Sequence, residues 1–497
     1  MAGSSNLMEG LHDLHEARED YDAAWSFWRG KSAEAFSSPA VRRALAKSSG
    51  MYGVNIAKVP ITVLLDRLKV ASIVALAADG VKDEEADGAL RDCYAENKVH
   101  LLRTRLYRNT LVYGDSYVFA WRGDGDETAR LHYNSPVTTR VLYDDEDESV
   151  ASLGIKAWTS RGVRRANLLY PDHLELGWVC KEGAEPKDPA SWFREADSED
   201  IPNAWGRVPL VHFRTDMPYG VPDAEDAWGA QAAINKLSTT MVHTSEAAGF
   251  PARYGLQEPG AELNGEGMDN PDWEDDAEAG DGDEESRVKA GPGEMALLRG
   301  LKSVGEFSAA SPDGFIKPAD WYRELAAVVT GTPAWYLNGR GDAPSGASLR
   351  VADAPLRGRT ETRQMMFDDA EKDLAGFTLA LLGYEDRRAD VRWKPAGIVD
   401  DATTWEIVQA KVSSGVPARV ALAETGLYDQ DEIDGWLADP SVEMDVQRRV
   451  WILSDVAASL SGLAQGVAQG LLSEQAAAAV VAATIGQLTP ELEAAPQ

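Results

Sequence analysis

The sequence predicts an α+β fold in which long helices frame a group of antiparallel strands. Apolar residues recur at helical spacing in an early segment, Leu7 to Trp28, and in a later one, Pro222 to Ala248. Between these segments, short runs of strand-forming residues follow one another closely from Ser116 to Cys180. Glycine and aspartate residues separate the runs, as expected of tight connections. This pattern favours an antiparallel β meander on an α-rich frame.

The composition limits the classes of function. The chain has 497 residues, with 49 Lys and Arg against 81 Asp and Glu, a formal net charge of −32. Tight binding of nucleic acid needs cations for the phosphates, so a protein that grips DNA is disfavoured. The excess of negative charge fits two interpretations, simple solubility or a surface along which DNA passes without sticking. The length predicts about three domains.

The cysteine content, the lack of long apolar runs and the first residues indicate where the protein is made. Cys93 and Cys180 cannot form a disulfide framework and are expected as reduced, buried thiols. No apolar run reaches the length of a membrane span, and no membrane partner is expected. The first residues, with Glu9, Asp13 and Glu16, do not resemble a signal peptide, so synthesis in a cytoplasm is expected.

The first half contains three predicted helices and a series of strands. The helices are Leu7–Trp28, Asn55–Arg67 and Asp83–Gly114. The strands are Ser116–Trp121, Ala129–Tyr133, Val137–Tyr143, Leu153–Thr159, Arg164–Tyr170, Leu174–Cys180 and Val208–Phe213. A polar loop is expected over Pro186–Asn203. Arg103, Arg105 and Arg108 fit either an anion-binding face or a solvated, salt-bridged one.

The centre of the chain predicts two helical rods with an acidic excursion between them. The second rod covers about Pro318 to Thr330, with Trp321, Leu325, Val328 and Val329 on one side. The excursion begins and ends with strand candidates, Pro251–Leu256 and Gly293–Leu298. Its carboxylates do not match the spacing of an EF-hand, and a self-repelling tip is the better interpretation.

A glycine-rich loop, Asn338 to Ser348, follows the second rod and leads to a third long helix ending at Leu382. Arg340 is an isolated cation within this loop, which is either a simple helix connector or a mobile functional segment. Beyond it the sequence predicts a short strand and four helices. These are Asp390–Trp393, Ala402–Ser414, Pro417–Thr425, Asp429–Asp439 and Val442–Gln487.

Motifs of catalysis and cofactor binding are absent. The sequence has no P-loop, no nucleophile elbow and no spaced set of Cys and His, so no cofactor and no metal are expected. Its 15 tryptophans fit a sugar site or, more simply, core packing. A hydrolase using an acidic pair in the Trp-rich N-terminal half stays open as a minor alternative.

Six short segments of the sequence, in a fixed order, match those of a known protein family. They are Trp25–Gly30, Asn55–Leu68, Tyr113–Val118, Gly206–Phe213, Thr330–Leu337 and Pro344–Leu349. Each is weak alone, but their order and spacing along nearly the whole chain are specific. The chain resembles the portal proteins of tailed bacteriophages, in the branch found in many long-tailed phages.

The resemblance implies an architecture. It would place a wing at 1–221, a first stem helix at 222–248, and a clip with an acidic insert at 249–311. A second stem helix would cover 312–330, a tunnel loop and long wing helix 331–382, and a helical crown 383–497. The α-rich wing would carry the antiparallel meander, and the clip would be small and contain β structure.

The resemblance also implies a role without enzymatic activity. Such proteins form a ring, typically a dodecamer, at one capsid vertex of the virion, and double-stranded DNA passes through it during packaging and ejection. Implied partners are the terminase large subunit, the head-tail adaptor, and the major capsid and scaffolding proteins. The residues implied at the DNA channel are Asn338, Arg340, Asp342 and Ser345. Those implied on the stem are Lys236, Thr240, Arg323 and Glu324. Those implied in the clip are Arg253, Tyr254 and Glu294. Another virion component, of the tail or baseplate, remains the alternative.

Overall fold

The computed structural model describes residues 2–31, 53–123, 125–249, 253–257, 301–306, 313–338, 346–397, 401–428 and 430–437. The chain divides into two compact units. The first comprises Met1–Leu65 with Tyr94–Arg359, and the second comprises Asp66–Cys93 with Thr360–Gln497. Each unit is therefore built from segments that are far apart in the sequence.

Helices provide the longest elements. Those of the described residues are Ala2–Arg29 (α1), Lys58–Arg67 (α2), Glu84–Glu96 (α3), Val99–Tyr113 (α4), Trp228–Gly249 (α5), Asp313–Val329 (α6), Ala334–Asn338 (α7), Gly346–Leu382 (α8), Asp401–Ser413 (α9), Ala418–Ala423 (α10) and Gln430–Leu437 (α11). Among these described helices, none is both long and apolar enough to cross a bilayer.

The strands of the described residues are all short. They are Val70–Leu76 (β1), Asp115–Trp121 (β2), Arg130–Asn134 (β3), Thr139–Tyr143 (β4), Ala151–Ser160 (β5), Val163–Leu169 (β6), His173–Cys180 (β7), Trp192–Arg194 (β8), Asp200–Pro202 (β9), Leu210–Arg214 (β10), Arg253–Gln257 (β11), Leu301–Glu306 (β12) and Arg388–Trp393 (β13). Every pairing among them is antiparallel.

Two sheets dominate the first unit. One has three strands in the order β10-β2-β3, and the other has six, running β4-β5-β6-β7-β8 with β9 also paired to β7. The sheets share an apolar cluster that contains Tyr117 and Leu210 from the first sheet and Val141, Leu169 and Leu174 from the second. Sheet-on-sheet packing thus forms the middle of this unit.

Helix α1 covers part of the six-stranded sheet. Leu7 is fully buried against Ile155, Leu168 and Trp178. A Cβ atom at Gly10 would lie 2.9 Å from the Cδ1 atom of Ile155, so the helix approaches the sheet this closely only because residue 10 has no side chain. The apolar residues that recur at helical spacing in the N-terminal segment therefore form the face of α1 that packs on the sheet.

The second unit joins distant segments through a two-stranded sheet. Strand β1 pairs with β13, and Ile73 lies opposite Val391. The guanidinium of Arg387 contacts the Asp83 carboxylate at 2.6 Å, and Trp393 Nε1 donates to Asp368 at 3.1 Å. Val408, Ala421, Leu422 and Ile433 form a separate small core.

The α+β fold class is confirmed, and the predicted strands from 116 to 213 are all present within a few residues of their expected ends. They do not form one meander, however. Strands β2 and β3 belong to a separate sheet in which β2 also pairs with β10, and the meander proper begins at β4. The residue pattern of each strand predicts where that strand lies, but it does not predict which other strand it pairs with.

Two predictions about elements were wrong, and one strand was not predicted. The single helix over 83–114 is two helices, because Lys98 adopts a left-handed conformation with φ of 52°. Beside it, the Asn97 side chain bonds the backbone of Ala129 and Leu131 rather than continuing the helix. The supposed loop over 186–203 contains β8 and β9, and strand β1 was not predicted at all.

The central rods are present with shifted ends. Regular α-helix begins at Trp228 rather than at residue 222, after one 3-10 turn over Glu225–Ala227. Strand β11 agrees with its prediction, but its partner is β12. The strand predicted over 293–298, the acidic run and the helix predicted over 442–487 lie outside the described residues.

Candidate functional site

Helices α5 and α6 form the most distinctive surface of the first unit. Helices α5 and α6 pack together through Ala230 and Ile234 on α5 and Ala326 and Ala327 on α6. Ala326 and Ala327 are 1% and 6% exposed. Small side chains at these positions allow the two helix backbones to approach closely, and burial of this apolar face holds the pair together.

The opposite face of α6 is also apolar. Trp321, Leu325 and Val328 follow one another at spacings of four and three residues, which aligns them along the helix. Trp321 lies roughly 120–140° around the helix axis from Ala326 and Ala327. Trp321 is 56% exposed and Val328 is 77% exposed. We call Trp321, Leu325 and Val328 the outer stripe.

A helix with apolar residues on two opposite faces belongs in a setting where both are covered. One face of α6 is covered by α5, but nothing in the described part of the chain covers the outer stripe. Scattered exposed apolar residues are ordinary, whereas a contiguous stripe that includes tryptophan marks an interaction surface. The arrangement is therefore suited to packing against another polypeptide.

An arginine fixes the ends of the two helices. Arg359 on α8 contacts the Asp223 carboxylate through Nη2 at 2.5 Å. It also donates to the backbone carbonyls of Asp223 and Thr330. Asp223 precedes α5 and Thr330 follows α6, so one guanidinium ties the start of the first helix to the end of the second. Charge-assisted contacts of this kind are stronger than hydrogen bonds between neutral groups.

Two amide side chains of α5 hold the segment before α2. The Gln231 side-chain oxygen accepts from the backbone N–H of Ile56 at 2.6 Å and of Ala57 at 2.9 Å. Asn235 accepts from the N–H of Val54 at 2.9 Å. Gln231 and Asn235 are each 1% exposed. They therefore satisfy backbone groups that would otherwise be buried without partners.

A buried polar network lies where β2 meets β10. His212 Nε2 lies 2.8 Å from Asp115 Oδ1, and His212 Nδ1 lies 2.7 Å from the Tyr143 hydroxyl. The other Asp115 oxygen accepts from the Tyr21 hydroxyl at 2.6 Å, and the N–H of Gly220 donates to Oδ1 at 2.7 Å. The segments Tyr113–Val118 and Gly206–Phe213, both part of the resemblance, thus meet in space.

Arg140 completes this network. It donates to the Tyr21 hydroxyl through Nη1 at 2.9 Å, pairs with Asp13, and lies 3.7 Å from the centre of the Tyr219 ring. Its side chain is 9% exposed and its Nη1 lies 4.0 Å from Asp115. The buried charges are therefore compensated by neighbours of opposite charge and by hydrogen bonds, as burial of charge requires.

The network sets the protonation of its members. Burial lowers the pKa of His212 below its ordinary value, despite the nearby Asp115 carboxylate. Burial opposes the charge of Asp115, but hydrogen bonds from His212, Tyr21 and Gly220 outweigh it and hold its pKa below the usual range. Burial beside Asp115 raises the pKa of Tyr21. In the resulting neutral tautomer, His212 Nε2 donates to Asp115 and Nδ1 accepts from Tyr143.

The residues expected at the stem lie on both helices but do not form one cluster. Lys236 and Thr240 are on the exposed face of α5, and the Thr240 hydroxyl donates to the Lys236 carbonyl at 2.9 Å. Arg323 on α6 pairs with Asp320 and lines an apolar groove between α5 and α6. Glu324 is exposed. Their roles toward DNA stay predictions.

The remaining expected residues are only partly described. Asn338 ends α7 and is half-buried. Arg253 and Tyr254 lie in β11, opposite Glu306 and Gly305 of β12. Arg340, Asp342, Ser345 and Glu294 lie outside the described residues.

Sequence reasoning missed the residues that tie these elements together. Asp115, His212, Arg359 and Gln231 were not singled out as partners, since each joins segments about 100 residues or more apart in sequence. The motifs Gly114-Asp115 and His212-Phe213 were noticed, and a polar residue within an apolar strand was the available signal. Periodicity found the outer stripe but did not show that it faces away from α5.

The minor alternative of a carboxylate-dependent hydrolase finds little support in this network. Asp115 is 1% exposed and all its contacts are internal, so it does not face a substrate. Among the described residues, no group of His, Cys, Asp and Glu is arranged to hold a metal ion. The buried carboxylate instead organises the junction of β2, β10 and α1.

Comparison with known protein families supports the resemblance. The model of the family described as "Phage portal protein, SPP1 Gp6-like" matches residues 78–276. This stretch includes the strands of both large sheets, helix α5, and the network residues Asp115, Arg140 and His212. The resemblance to phage portal proteins is thereby confirmed. A comparison with curated proteins finds no match.

Chains in solved structures of gene transfer agent (GTA) particles are similar to this chain. A chain of the "Neck of native GTA particle computed with C12 symmetry" is 15% identical, with a TM-score of 0.39, covering 78% of this chain and 99% of that one. A chain of the "Virion of native gene transfer agent (GTA) particle" is 14% identical, with a TM-score of 0.36, covering 76% and 88%. A chain of the "Neck of empty GTA particle computed with C6 symmetry" is 12% identical, with a TM-score of 0.38, covering 83% and 93%.

Proposed function

We propose that this chain is a portal subunit, a structural and non-enzymatic component of a virion. Copies of the chain form a ring at one capsid vertex, and double-stranded DNA passes through the ring during packaging and ejection. The family match over residues 78–276 supports this proposal, since it includes a large part of both sheets and the whole of α5.

The observation that carries the proposal is the outer stripe of α6. Trp321, Leu325 and Val328 form an apolar face opposite the one that packs on α5. A second copy of the chain is the occupant that fits a ring, because repeated head-to-tail contacts between two different patches of one subunit close into a cycle. In such a ring, neighbouring copies cover the thin pair of helices on both sides.

The charge of the chain suits a conduit rather than a DNA-gripping protein. With a formal net charge of −32, the subunit repels the phosphates that pass it, and a few cations supply brief contacts. Lys236, exposed on α5, is one such cation, and Arg340 is proposed as another. Weak, sequence-independent contact of this kind lets DNA slide.

The proposal also covers the binding partners of the ring and the domains of the subunit. The terminase large subunit and the head-tail adaptor dock at opposite ends of the ring, while the capsid and scaffolding proteins surround it. We assign the wing, stem, clip and crown to the ranges expected from the sequence. The antiparallel pair of β11 and β12 lies within the proposed clip range.

Mass and shape of the full chain test the proposal. We expect native mass spectrometry to give a closed assembly of about a dozen copies, and negative-stain images to show a central hole. A chain that stays monomeric with scaffolding and capsid proteins present would overturn the portal assignment. A ring that fails to bind the terminase would instead favour a tail or baseplate component.

A further inference from the structure

A cavity of about 270 Å³ lies between the two large sheets of the first unit. The three-stranded sheet contributes Phe119, Trp121, Asn134 and Leu210 to its wall. The six-stranded sheet contributes the other wall, and Ile201 of β9, 39% exposed, lies at its edge toward solvent. Its size is close to that of pockets that take small organic molecules.

Three polar side chains share one row on the floor of this cavity. Thr139 on β4 pairs with Lys156 on β5, and Lys156 pairs with Asn167 on β6. Residues directly opposite one another on neighbouring strands point to the same face of a sheet. The register of the meander therefore brings a hydroxyl, an ammonium and an amide side by side, and all three line the cavity.

Lys156 carries a charge that nothing in the described residues neutralises. Its side chain is half-buried, and no carboxylate within the described chain pairs with it. Its Nζ lies 5.9 Å from the centre of the Trp158 ring, which offers only weak compensation. Burial lowers the pKa of the Lys156 ammonium. An anion beside Nζ would relieve this cost.

Thr139 and Asn167 offer hydrogen bonds at the same place. Thr139 is fully buried, and its Oγ1 has no hydrogen-bond partner among the described residues. Asn167 accepts from the N–H of Gly177 at 3.2 Å through its side-chain oxygen, which leaves the NH₂ end of the amide as a donor. Buried polar atoms without partners are uncommon, and a ligand that bonds them is a standard explanation.

The rest of the wall is apolar apart from Asn134, whose amide nitrogen donates to the His132 carbonyl. Phe119 and Trp121 lie nearly parallel with ring centres 6.3 Å apart. Leu169, Leu174 and Leu176 face them across the cavity. The lining contains one cation and no aspartate or glutamate, although the chain has 81 of these acidic residues. This combination favours an apolar body that carries one negative charge.

We propose that this cavity binds a small monocarboxylate with an aromatic or branched apolar body. The carboxylate contacts Lys156 Nζ and accepts from the Thr139 hydroxyl, and the apolar body lies between the Phe119–Trp121 side and the leucines. A single cation suits one negative charge, and the apolar walls disfavour inorganic phosphate. A ligand bound here contacts both sheets and stabilises their packing. The proposal is independent of the portal assignment, because it concerns only the interior of the first unit.

Ligand-observed saturation-transfer NMR on the full chain tests the chemistry without any mutation. Phenylacetate is the probe, and phenylacetamide is its neutral match in shape. We expect saturation transfer to phenylacetate with a dissociation constant on the order of 1 mM, in line with a ligand of its size. Phenylacetamide should bind at least about tenfold more weakly, since it lacks the charge. Equal binding of the two, or no transfer to phenylacetate, overturns the proposal.

Two variants and a control locate the site. Lys156→Met should weaken phenylacetate binding by about tenfold or more, and Thr139→Val by a few fold. Lys181→Met removes an exposed lysine that directly follows β7 of the same sheet and does not line the cavity, and it should leave binding unchanged. Without ligand, Lys156→Met should unfold at the same temperature as the parent chain or higher, because it removes an uncompensated charge. Parental affinity in Lys156→Met would place the ligand elsewhere and overturn the assignment.

Discussion

The Asp115 network and the outer stripe of α6 differ in whether their side chains have partners within the described part of the chain. In the network, Asp115, His212 and Arg140 are buried, and each is bonded to a neighbour within the same unit. On the outer stripe, Trp321 and Val328 are apolar and exposed. The bonds of the first region are satisfied within one chain, whereas no described residue covers the second.

This contrast predicts which changes alter folding and which alter assembly. Substitutions in the network should lower the free energy of unfolding of the isolated subunit. Substitutions on the outer stripe should leave that quantity nearly unchanged and weaken association between copies. A substitution that affected both regions in the same way would break the comparison.

Removal of the Asp115 carboxylate should have the largest effect. Asp115→Ala leaves Tyr21, the Gly220 N–H and His212 without their acceptor. It also removes one of the two carboxylates near Arg140, which keeps its ion pair with Asp13. Loss of one partner from a buried ionic group costs about 3–5 kcal/mol. Urea unfolding of the subunit measures this cost.

Asp145→Asn, in an exposed turn, is the matched control and should change unfolding by less than about 0.5 kcal/mol. A loss below about 1 kcal/mol for Asp115→Ala would mean that the network does not organise the sheet junction.

The turn before Asp115 should be nearly as sensitive. Gly114 has φ of 93°, and a Cβ there would lie 2.4 Å from the backbone carbon of Gly220. Gly114→Ala therefore combines strain of the backbone with a clash that no side chain can relieve, and we expect a loss of about 2–4 kcal/mol in urea unfolding.

Gly125 separates the two causes. It has φ of 85°, but a Cβ there would meet nothing within 4 Å. Gly125→Ala should therefore cost only about 1 kcal/mol. Equal losses in the two variants would show that backbone conformation, and not the contact with Gly220, determines the effect.

On the outer stripe, Trp321→Gln should weaken assembly. Loss of its burial against a second copy costs about 2–3 kcal/mol per contact, whereas urea unfolding of the monomer should change by less than about 0.5 kcal/mol. Sedimentation across a concentration series measures the first quantity. Leu101→Gln, at another exposed apolar helix residue, should leave assembly unchanged. If Trp321→Gln lowers the stability of the monomer and leaves assembly unchanged, the outer stripe contributes to folding and not to association.

The two regions also differ in how well the sequence predicted them. Local patterns located α1, most strands and both central helices, because apolar periodicity and turn residues act over a few residues. They also found Trp321, Leu325 and Val328 on one side of α6. They did not reveal that Ala326 and Ala327 supply the internal face, since small residues give a weak hydrophobic signal.

Long-range pairing lay beyond the sequence for a physical reason. The partners Asp115 and His212 are 97 residues apart, and Arg359 lies 136 residues from Asp223. No local preference encodes such contacts, which depend on how strands and helices come together. The break at Lys98 was missed for the same reason, because Asn97 bonds β3 rather than its own helix.

The dependence of stability on pH should show the smallest and most specific effect. Burial lowers the pKa of His212 below its ordinary value of 6.5, so the unfolded chain takes up this proton at a higher pH than the folded chain does. Stability contributed by neutral His212 is therefore present above pH 6.5 and is lost as the pH falls through that value. For one proton the slope is at most about 1.4 kcal/mol per pH unit.

His212→Gln removes the titrating group and retains an amide able to bond Asp115. Urea unfolding at several pH values between about 5.5 and 7.5 should show a shallower slope in this variant, together with a pH-independent loss of stability. If the slopes are equal, a different group titrates in this range. If instead the parent chain gains stability as the pH falls, His212 is protonated in the folded state. Asp115 would then stabilise an imidazolium, and the junction of β2 and β10 would contain a buried ion pair in place of a neutral hydrogen-bonded histidine.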